Sequence, residues 1–355
     1  MGQFTATTLG LLEAACALTL AASIVCLAIA QTRRARHADD SERRRARLLD
    51  AVRHARRAPL LAACEQARTR ENVREDVRAV ARGLALAPQR ALLIAAARDA
   101  GLDDALRGSL TSSSADVRAR AAALLGLLRL AHSAELEPLL ADPDTNVRLV
   151  VARAIAMLDT PDAVLALIRA LGSAQIDPNR LIEQLARPSA VPELVRAFSA
   201  AEHAAVRPLI AEALGLTRSA AAISPLSSLV RVGVEDERVR ACRALGRIAQ
   251  PEVVPLLVEA LADDAWAVRA EAARWLTGLG DQSSVPELER ALSDGAWWVR
   301  ANAADALRSI GPAGLAALVR ASQSDDRVTA ARAREALALE RGVDGEGDES
   351  LGLAA

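Results

Sequence analysis

The sequence predicts an all-α protein: a right-handed α-solenoid of stacked helix pairs, preceded by one transmembrane helix. The first observation is composition, since the 355 residues are 52% hydrophobic but only 2% aromatic, with no tyrosine. Such a chain, rich in Ala, Leu, Arg and Glu, favours helices and disfavours a β-sandwich or barrel. The second is a short motif that recurs about every 30 residues, and the third is an uncharged run near the N-terminus.

The N-terminal segment, residues 1–32, contains seventeen successive uncharged residues from Ala14 to Ala30. Extended back by three positions, the run reaches about 20 residues, the length that crosses the hydrocarbon core of a bilayer. Glu13 then lies near one end of the span, where its carboxylate can reach the interface at modest cost. We therefore expect a transmembrane helix over about residues 11–30.

An arginine-rich collar follows the span directly: residues 33–57 hold ten Arg and four acidic residues, a net charge of +6. The residues before the span include no Arg, so the positive-inside rule places the N-terminus outside and the body in the cytoplasm, as in a single-pass inner-membrane protein. The collar either contacts anionic lipid headgroups, at about 1 kcal/mol per basic residue, or serves only as a topology signal on a solvated helix. The candidate membrane-surface residues are Arg33, Arg34, Arg36, Arg43, Arg44, Arg45 and Arg47.

Two other interpretations of the uncharged run remain open. Ala28-Ile29-Ala30 resembles the small-residue end of a cleaved signal peptide, and cleavage there would leave a chain that starts near Gln31. Against cleavage, the first residues lack positive charge and the collar opposes export. The other alternative is a buried core helix of a soluble protein.

The rest of the chain repeats a two-helix unit. Each Val-Arg pair begins an Ala- and Leu-rich helix that often ends in Gly, and a shorter helix that often has Pro in its first turn precedes it. Pro suits a first turn, whose N–H groups lack intrahelical acceptors, and Gly permits the left-handed residue that ends a helix. Because about 30 residues cannot enclose a core, the units must stack. The pairs are Val117-Arg118, Val147-Arg148, Val206-Arg207, Val239-Arg240, Val268-Arg269 and Val299-Arg300.

These patterns divide the chain into four segments. After the N-terminal segment, residues 33–100 are expected to form the collar helix and degenerate capping helices. The solenoid is expected over residues 101–342, in about eight units. Residues 343–355 contain four acids and three Gly without any period, which predicts a disordered acidic tail.

An Asp lies six residues before the Arg in three of the units, in the turn between the two helices. From Leu102 to Arg341 the units resemble HEAT repeats, in particular the short bacterial type of the phycobilin-lyase-like HEAT proteins, in which this Asp and Arg recur. The units of Arg180 and Arg207 depart from the pattern, because the first has a rewritten turn and the second has no such Asp. The three matching pairs are Asp142 and Arg148, Asp263 and Arg269, and Asp294 and Arg300.

The resemblance implies a fold of HEAT-like helix pairs and a structural role for these Asp and Arg residues. Each Asp would cap the second helix of its unit and pair with an Arg of its own or a neighbouring unit. Repeated along the stack, such pairs would form a ladder. The resemblance implies little about activity, because HEAT arrays have many unrelated functions.

The sequence predicts no catalytic residue, no metal site and no cofactor. It lacks G-x-S-x-G, a phosphate-binding glycine loop and H-E-x-x-H. The His-Glu pairs of the deoxyhypusine hydroxylase family of HEAT proteins occur here only once and reversed, as Glu202-His203, which is expected to be a solvated turn. Cys64 and Cys242 are expected to be small core residues rather than nucleophiles.

All four Trp lie between Trp266 and Trp298, and Trp266, Trp297 and Trp298 lie at or near the start of second helices. They serve either inter-repeat packing, with Arg stacked on indole, or binding of a protein partner. Trp297 shares the phase of Trp266, which favours packing, whereas Trp298 corresponds to Ala267 and is expected to be exposed. Adjacent helical residues point about 100° apart, so Trp297 and Trp298 cannot both enter one core. Trp275, well inside its helix, is expected in the core.

The sequence therefore favours a non-enzymatic, membrane-anchored HEAT-repeat scaffold that binds a protein partner at or in the membrane. Trp298, Trp297 and Trp266 are the candidate partner-binding residues, and no small-molecule substrate is expected. One alternative is an accessory enzyme subunit of the lyase-like or hydroxylase-like kind. The other is a nucleic-acid-binding HEAT array, which the net charge of −1 disfavours because no global field attracts a polyanion.

Overall fold

The computed structural model is helical throughout the part of the chain that it describes, and it forms two compact units, up to Ala131 and from His132 onward. The expected span at 11–30, the collar residues Arg33, Arg34 and Arg36, and the pair Glu202-His203 lie outside the described residues. None of the described helices is both long and apolar enough to span a bilayer. The described residues are 31, 38–84, 87–173, 175–200 and 205–348.

The part of the first unit that the structure describes from residue 38 onward contains six helices. Its core is small and aliphatic: Leu60 and Cys64, in the helix Arg57–Ala67, are fully buried, as is Val77 in the helix Glu71–Gly83. The helix Arg57–Ala67 packs against both the helix Glu71–Gly83 and the helix Ala87–Asp99. The helices are α1 (38–53), α2 (Arg57–Ala67), α3 (Glu71–Gly83), α4 (Ala87–Asp99), α5 (Leu102–Ser109) and α6 (Ala115–Leu127).

The second unit is a series of helix pairs, each made of a short first helix and a second helix. Short 3-10 turns lead into several first helices, where Pro commonly stands at the first or second position. The elements are α7 (Ser133–Leu136), α8 (Thr145–Leu158), α9 (Pro161–Leu171), α10 (Pro178–Leu185), α11 (Val191–Ser199), α12 (Arg207–Thr217), α13 (Ile223–Val232), α14 (Glu235–Ile248), α15 (Val254–Ala260), α16 (Trp266–Leu276), α17 (Val285–Ala291), α18 (Trp297–Ser309), α19 (Pro312–Ala321) and α20 (Arg327–Asp348).

The second helices pack in one row within this unit. Each of them, from α8 through α10, α12, α14, α16 and α18 to α20, packs against the next, and each first helix flanks its own second helix. The inner faces are lined by Ala, Leu and Val, such as Ala244, Leu245 and Ala273, which are fully buried. This stacking buries the apolar face that a single pair of about 30 residues could not cover.

Glycines inside two second helices bring neighbouring helices close together. A Cβ added to Gly246 in α14 would lie 2.1 Å from Cγ of Trp275 in α16. One added to Gly215 in α12 would lie 2.6 Å from the Cα of Ala244. Second helices are expected often to end in Gly, but α12 continues past Gly215 to Thr217 and α14 continues past Gly246 to Ile248, and both glycines serve close packing.

Two of those helices instead end at residues with a side chain in the left-handed region: Arg218 (φ 54°) after α12 and Ala249 (φ 55°) after α14. Gly280 (φ 59°) and Gly311 (φ 85°) follow α16 and α18, where the expected glycine does occupy the left-handed position. At the C-terminus, α20 continues to Asp348, into the segment expected to be an acidic tail. The remainder, 349–355, is outside the described residues.

Candidate functional site

A bidentate ion pair joins the turn between α15 and α16 to the turn between α17 and α18. Arg269 Nε and Nη2 donate to Oδ2 and Oδ1 of Asp294 at 2.7 and 2.9 Å. The remaining Arg269 nitrogen, Nη1, donates to the backbone carbonyls of Asp263 and Asp264 at 2.7 and 3.0 Å. One guanidinium thus holds the turn of its own unit and the turn of the next.

The pair of Arg269 and Asp294 is one rung of the expected ladder. The preceding rung is made by Arg238, which donates to Asp263 in the same bidentate way, with both distances 2.8 Å. Arg240, the arginine of the Val-Arg pair in this unit, instead pairs with Asp236 at 2.9 Å and with Glu212 at 3.5 Å. The reason is the position of the helix start: Arg238 is the fourth residue of α14, as Arg269 is the fourth residue of α16. Both rungs also join residues 25 positions apart, a spacing that the sequence displays.

The ladder carboxylates hold the turns but are not themselves the N-caps of the second helices. Asp294 accepts the N–H of Ala296, and Asp263 accepts the N–H of Ala265, each at 2.8 Å. Ala265 and Ala296 occupy the N-cap positions, so each Asp lies two residues earlier than a capping residue would. The resemblance implies that each Asp caps its second helix. Instead, each Asp accepts a hydrogen bond from the N-cap residue and so fixes the turn that leads into that helix.

The first matching pair, Asp142 and Arg148, has the same turn contact, but here the N-cap residue also has a capping side chain. Asp142 accepts the N–H of Asp144 at 2.9 Å, and Asp144 is a true N-cap that accepts from Asn146 and Val147. Arg148 Nη1 donates to the carbonyl of Asp142 at 2.7 Å. Its Nε is buried with no hydrogen-bond partner in the described part of the chain.

The units that depart from the sequence pattern have weaker contacts. Arg180 has an exposed contact with Glu183 at 3.4 Å, and Arg207 lies 3.8 Å from Glu237. Arg300, in the last matching pair, donates to the carbonyls of its own turn. A separate row of exposed ion pairs links neighbouring first helices: Arg169 with Glu137, Arg231 with Glu259, and Arg320 with Glu289.

The contacts of the ladder change the pKa values of its members. Burial alone would raise the pKa of Asp294, but hydrogen bonds from Arg269 and the Ala296 N–H, with the charge of Arg300, lower it below its ordinary value of 3.8. Asp263 has a lowered pKa for the corresponding reasons. The hydrogen bond to Asp294 raises the pKa of Arg269. Both ladder carboxylates are thus held in the charged form.

The candidate tryptophans lie at the first turns of α16 and α18, and all three are about half exposed. Trp298 is the most exposed, at 58%, followed by Trp266 at 50% and Trp297 at 48%. The rings of Trp297 and Trp298 meet edge to face with centroids 4.6 Å apart, and the Arg332 guanidinium lies 5.0 Å from the Trp297 ring centre. Packing thus covers only half of Trp266 and Trp297, because first-turn side chains project past the helix end instead of into the row.

A groove of about 410 Å³ runs between α14, α16 and α18, and Trp266 and Trp298 line one end of it. Ala267 and Ala270 form its floor, and Arg274 lies further along α16. On the α18 side, Asn302 Nδ2 donates to the carbonyl of Ala270 at 2.8 Å. The groove therefore combines two indoles, a floor without long side chains, a fixed amide, two guanidinium groups and one carboxylate.

Arg243 and Glu271 also line the groove, and Glu271, which is 9% exposed, already has strong partners. Its Oε1 accepts from Arg243 Nε at 3.0 Å, and its Oε2 accepts from the indole N–H of Trp275 at 3.0 Å. The Trp275 ring packs on Gly246 but is only partly buried, with Arg274 5.7 Å from its centre. Arg274 itself is 3.8 Å from Glu271, and its side chain is 63% exposed.

A family model of HEAT repeats matches residues 102–181, 233–274 and 257–338, a little more than half of the chain. The chain belongs to the HEAT-repeat family. A search of curated proteins finds no match.

Several solved structures resemble these HEAT repeats. Human deoxyhypusine hydroxylase in complex with glycerol is 21% identical, with 68% of this chain and 96% of that chain covered and a TM-score of 0.30. The complex of CpcE and CpcF of phycocyanin lyase from a Nostoc species is 22% identical, with 66% and 92% covered and a TM-score of 0.30. Kap121p bound to Pho4p is 14% identical, with 75% and 37% covered and a TM-score of 0.45.

In the first unit of this HEAT protein, two collar arginines neutralise a buried carboxylate. Asp76 of α3 is fully buried and accepts from Arg44 Nε at 2.6 Å, from Arg45 Nε at 2.8 Å and from the Ser41 hydroxyl. Such a charge would be costly without these partners. Of the other described collar residues, Arg43 pairs with Asp39 at 2.6 Å and Arg47 is exposed.

The two described cysteines of the HEAT protein are buried thiols. Burial, with the charge of Glu65, raises the pKa of Cys64 to about 12. Burial, with the charges of Asp263 and Glu271, raises the pKa of Cys242 to about 12. Within the described residues, no three His, Cys, Asp or Glu side chains are grouped so that they could hold a metal ion.

Proposed function

We propose that this HEAT-repeat protein is a non-enzymatic scaffold that binds a protein partner with the face formed by α14, α16 and α18. The observation that carries the proposal is the set of half-exposed indoles at the starts of α16 and α18: Trp266 and Trp298 line one end of the groove, and Trp297 packs edge to face against Trp298. Tryptophan is enriched among the residues that dominate binding energy, because a large rigid ring loses much water contact for little conformational entropy.

The packing of the repeats supports this assignment of the exposed rings. The joint between α14 and α16 is made by Trp275 on Gly246 and by the Arg238 and Asp263 rung. The rung of Arg269 and Asp294 joins the next pair. Since these contacts hold the row together, the outer halves of Trp266 and Trp298 remain available to a partner.

We further propose that residues 11–30 anchor the scaffold in the inner membrane, with the N-terminus outside and the repeats in the cytoplasm. The uncharged run and the arginine excess behind it support this arrangement. Arg33, Arg34, Arg36, Arg43 and Arg47 are the collar residues proposed to meet anionic headgroups, because Arg44 and Arg45 hold Asp76 instead. Anchoring would raise the effective concentration of the scaffold for a partner at the membrane.

A photo-crosslinking amino acid at position 267 tests the proposed face. Ala267 lies in the groove, and exposed Ala316 on first helix α19 provides a matched position away from it. We expect a discrete adduct from position 267 in native membranes, its loss on Trp298→Ala, and no adduct from position 316. Equal crosslinking from both positions, or an adduct that survives Trp298→Ala, would contradict the proposed face.

A further inference from the structure

We propose that the groove binds an extended segment of acidic peptide rather than a folded protein surface. One apolar side chain of the peptide contacts Trp266 and Trp298, and a carboxylate three or four residues away pairs with Arg274. This inference rests on the proposed function, because it names the kind of partner that the α14, α16 and α18 face receives.

The length of the groove sets the spacing within the peptide. Trp266 and Arg274 lie eight residues apart on α16, which is about 12 Å at 1.5 Å per residue. An extended chain advances about 3.3 Å per residue, so about four residues cover that distance. An apolar residue at the indole end therefore places a side chain three or four positions away beside Arg274.

The floor of the groove allows a peptide backbone to approach. Ala267 and Ala270 have no side-chain atoms beyond Cβ, so a main chain can lie directly over α16. Asn302 stands halfway along, one helical turn after Trp298 on α18. Because its Nδ2 is held by the carbonyl of Ala270, its Oδ1 is oriented as an acceptor for a peptide N–H.

Charge selects the acidic peptide. Arg243, Arg274 and Glu271 together have one excess positive charge, and Glu271 is already neutralised by Arg243 and held by Trp275. Arg274 lies 3.8 Å from Glu271, and its exposed guanidinium retains donors for an incoming carboxylate. A charge-assisted pair with a carboxylate would be strong and directional, whereas a Lys or Arg of a basic peptide would meet Arg274 as a like charge.

Selection from a phage-displayed library of random twelve-residue peptides tests the proposal on the full-length protein in mild detergent. Arg274→Glu reverses the charge, and Arg274→Gln removes it. Arg290→Glu is the matched control, because Arg290 is also exposed and also contacts a Glu three residues earlier, Glu287, but lies on first helix α17.

We expect the wild type and Arg290→Glu to enrich Asp or Glu three or four positions from an apolar residue by about tenfold. Arg274→Gln should remove that preference, and Arg274→Glu should replace it with Lys or Arg. Failure to enrich any peptide on the wild type, selection of basic peptides, or an acidic preference that survives Arg274→Glu would overturn the proposal. If no peptide is enriched while the adduct from position 267 still depends on Trp298, the peptide inference fails and the proposed scaffold stands.

Discussion

Arg269 and Asp294 join successive helix pairs through two parallel hydrogen bonds of 2.7 and 2.9 Å, although they are 25 residues apart. Their side chains are only 19% and 13% exposed, so water screens the pair less than a surface ion pair. Because Arg269 also holds two carbonyls of its own turn, the angle between one unit and the next is coupled to the turn conformation.

Replacing Asp294 with Ala should lower the stability of the C-terminal helix pairs by about 2 kcal/mol, because Arg269 and the Ala296 N–H lose their acceptor. Hydrogen exchange measured by mass spectrometry should then be faster in α16 and α18. Asp264→Ala, an exposed Asp in an equivalent turn, is the control and should change exchange little. Unchanged exchange in Asp294→Ala would contradict a structural role for the rung.

The same rungs predict loss of stability in acid. Asp263 and Asp294 have folded-state pKa values below 3.8, so both bind protons less readily folded than unfolded. Their contribution is therefore fully present above about pH 4 and is lost as the pH falls through the folded-state values. Urea midpoints measured from pH 6 to pH 3 should decrease, and they should decrease less in Asp294→Asn. An equal decrease in both proteins would assign the acid sensitivity to other groups.

Spacing along the chain is sufficient to predict the helix pairs and the tryptophans at helix starts, because a repeat period is visible in the sequence itself. It does not identify Arg238 as the partner of Asp263, because the Val-Arg pair of that unit contains Arg240, and Arg238 is in place only because α14 begins at Glu235. It also cannot show that Asp76 is buried beneath Arg44 and Arg45, a contact between α1 and α3. Composition shows only a basic collar.

The exposure of each Trp side chain likewise depends on how the second helices pack in their row. Trp266 and Trp297 share one phase and were expected to pack, yet half of each ring faces solvent. Trp275 was expected in the core, and it does pack on Gly246, but its indole N–H reaches Glu271 near the groove. The sequence identifies these residues, whereas their orientation depends on how closely neighbouring helices approach.

Ala249→Gly should stabilise the protein by about 1 kcal/mol, because Ala249 has φ 55° and a Cβ is disfavoured in the left-handed region. The reciprocal variant, Gly280→Ala, should destabilise by a similar amount. Gly280 has φ 59° and open space around its Cβ position, so only backbone strain contributes. Thermal unfolding of both variants measures the two effects. A lower unfolding temperature for Ala249→Gly would show that the greater flexibility of Gly in the unfolded chain outweighs the relief of backbone strain.

The proposed membrane topology gives a prediction about residues outside the described part of the chain. A reporter that is active only outside the cytoplasm should be silent when fused after Ala355 and active when fused before Met1. Removal of residues 1–32 should shift the protein from the membrane fraction to the soluble fraction. A free product that begins near Gln31 would instead support signal cleavage.

Trp298 and Trp275 should respond in opposite ways to replacement by Ala, although they lie on neighbouring second helices. The Trp298 ring is 58% exposed, so its loss should change the free energy of unfolding by less than about 1 kcal/mol while it abolishes crosslinking from position 267. Trp275 fills the space left by Gly246 and bonds to Glu271, so its removal leaves a cavity and should cost about 3 kcal/mol. Chemical denaturation and crosslinking of both variants separate the two roles. A Trp298→Ala protein that unfolds as readily as Trp275→Ala would place Trp298 among the packing residues and remove the main support for the binding face.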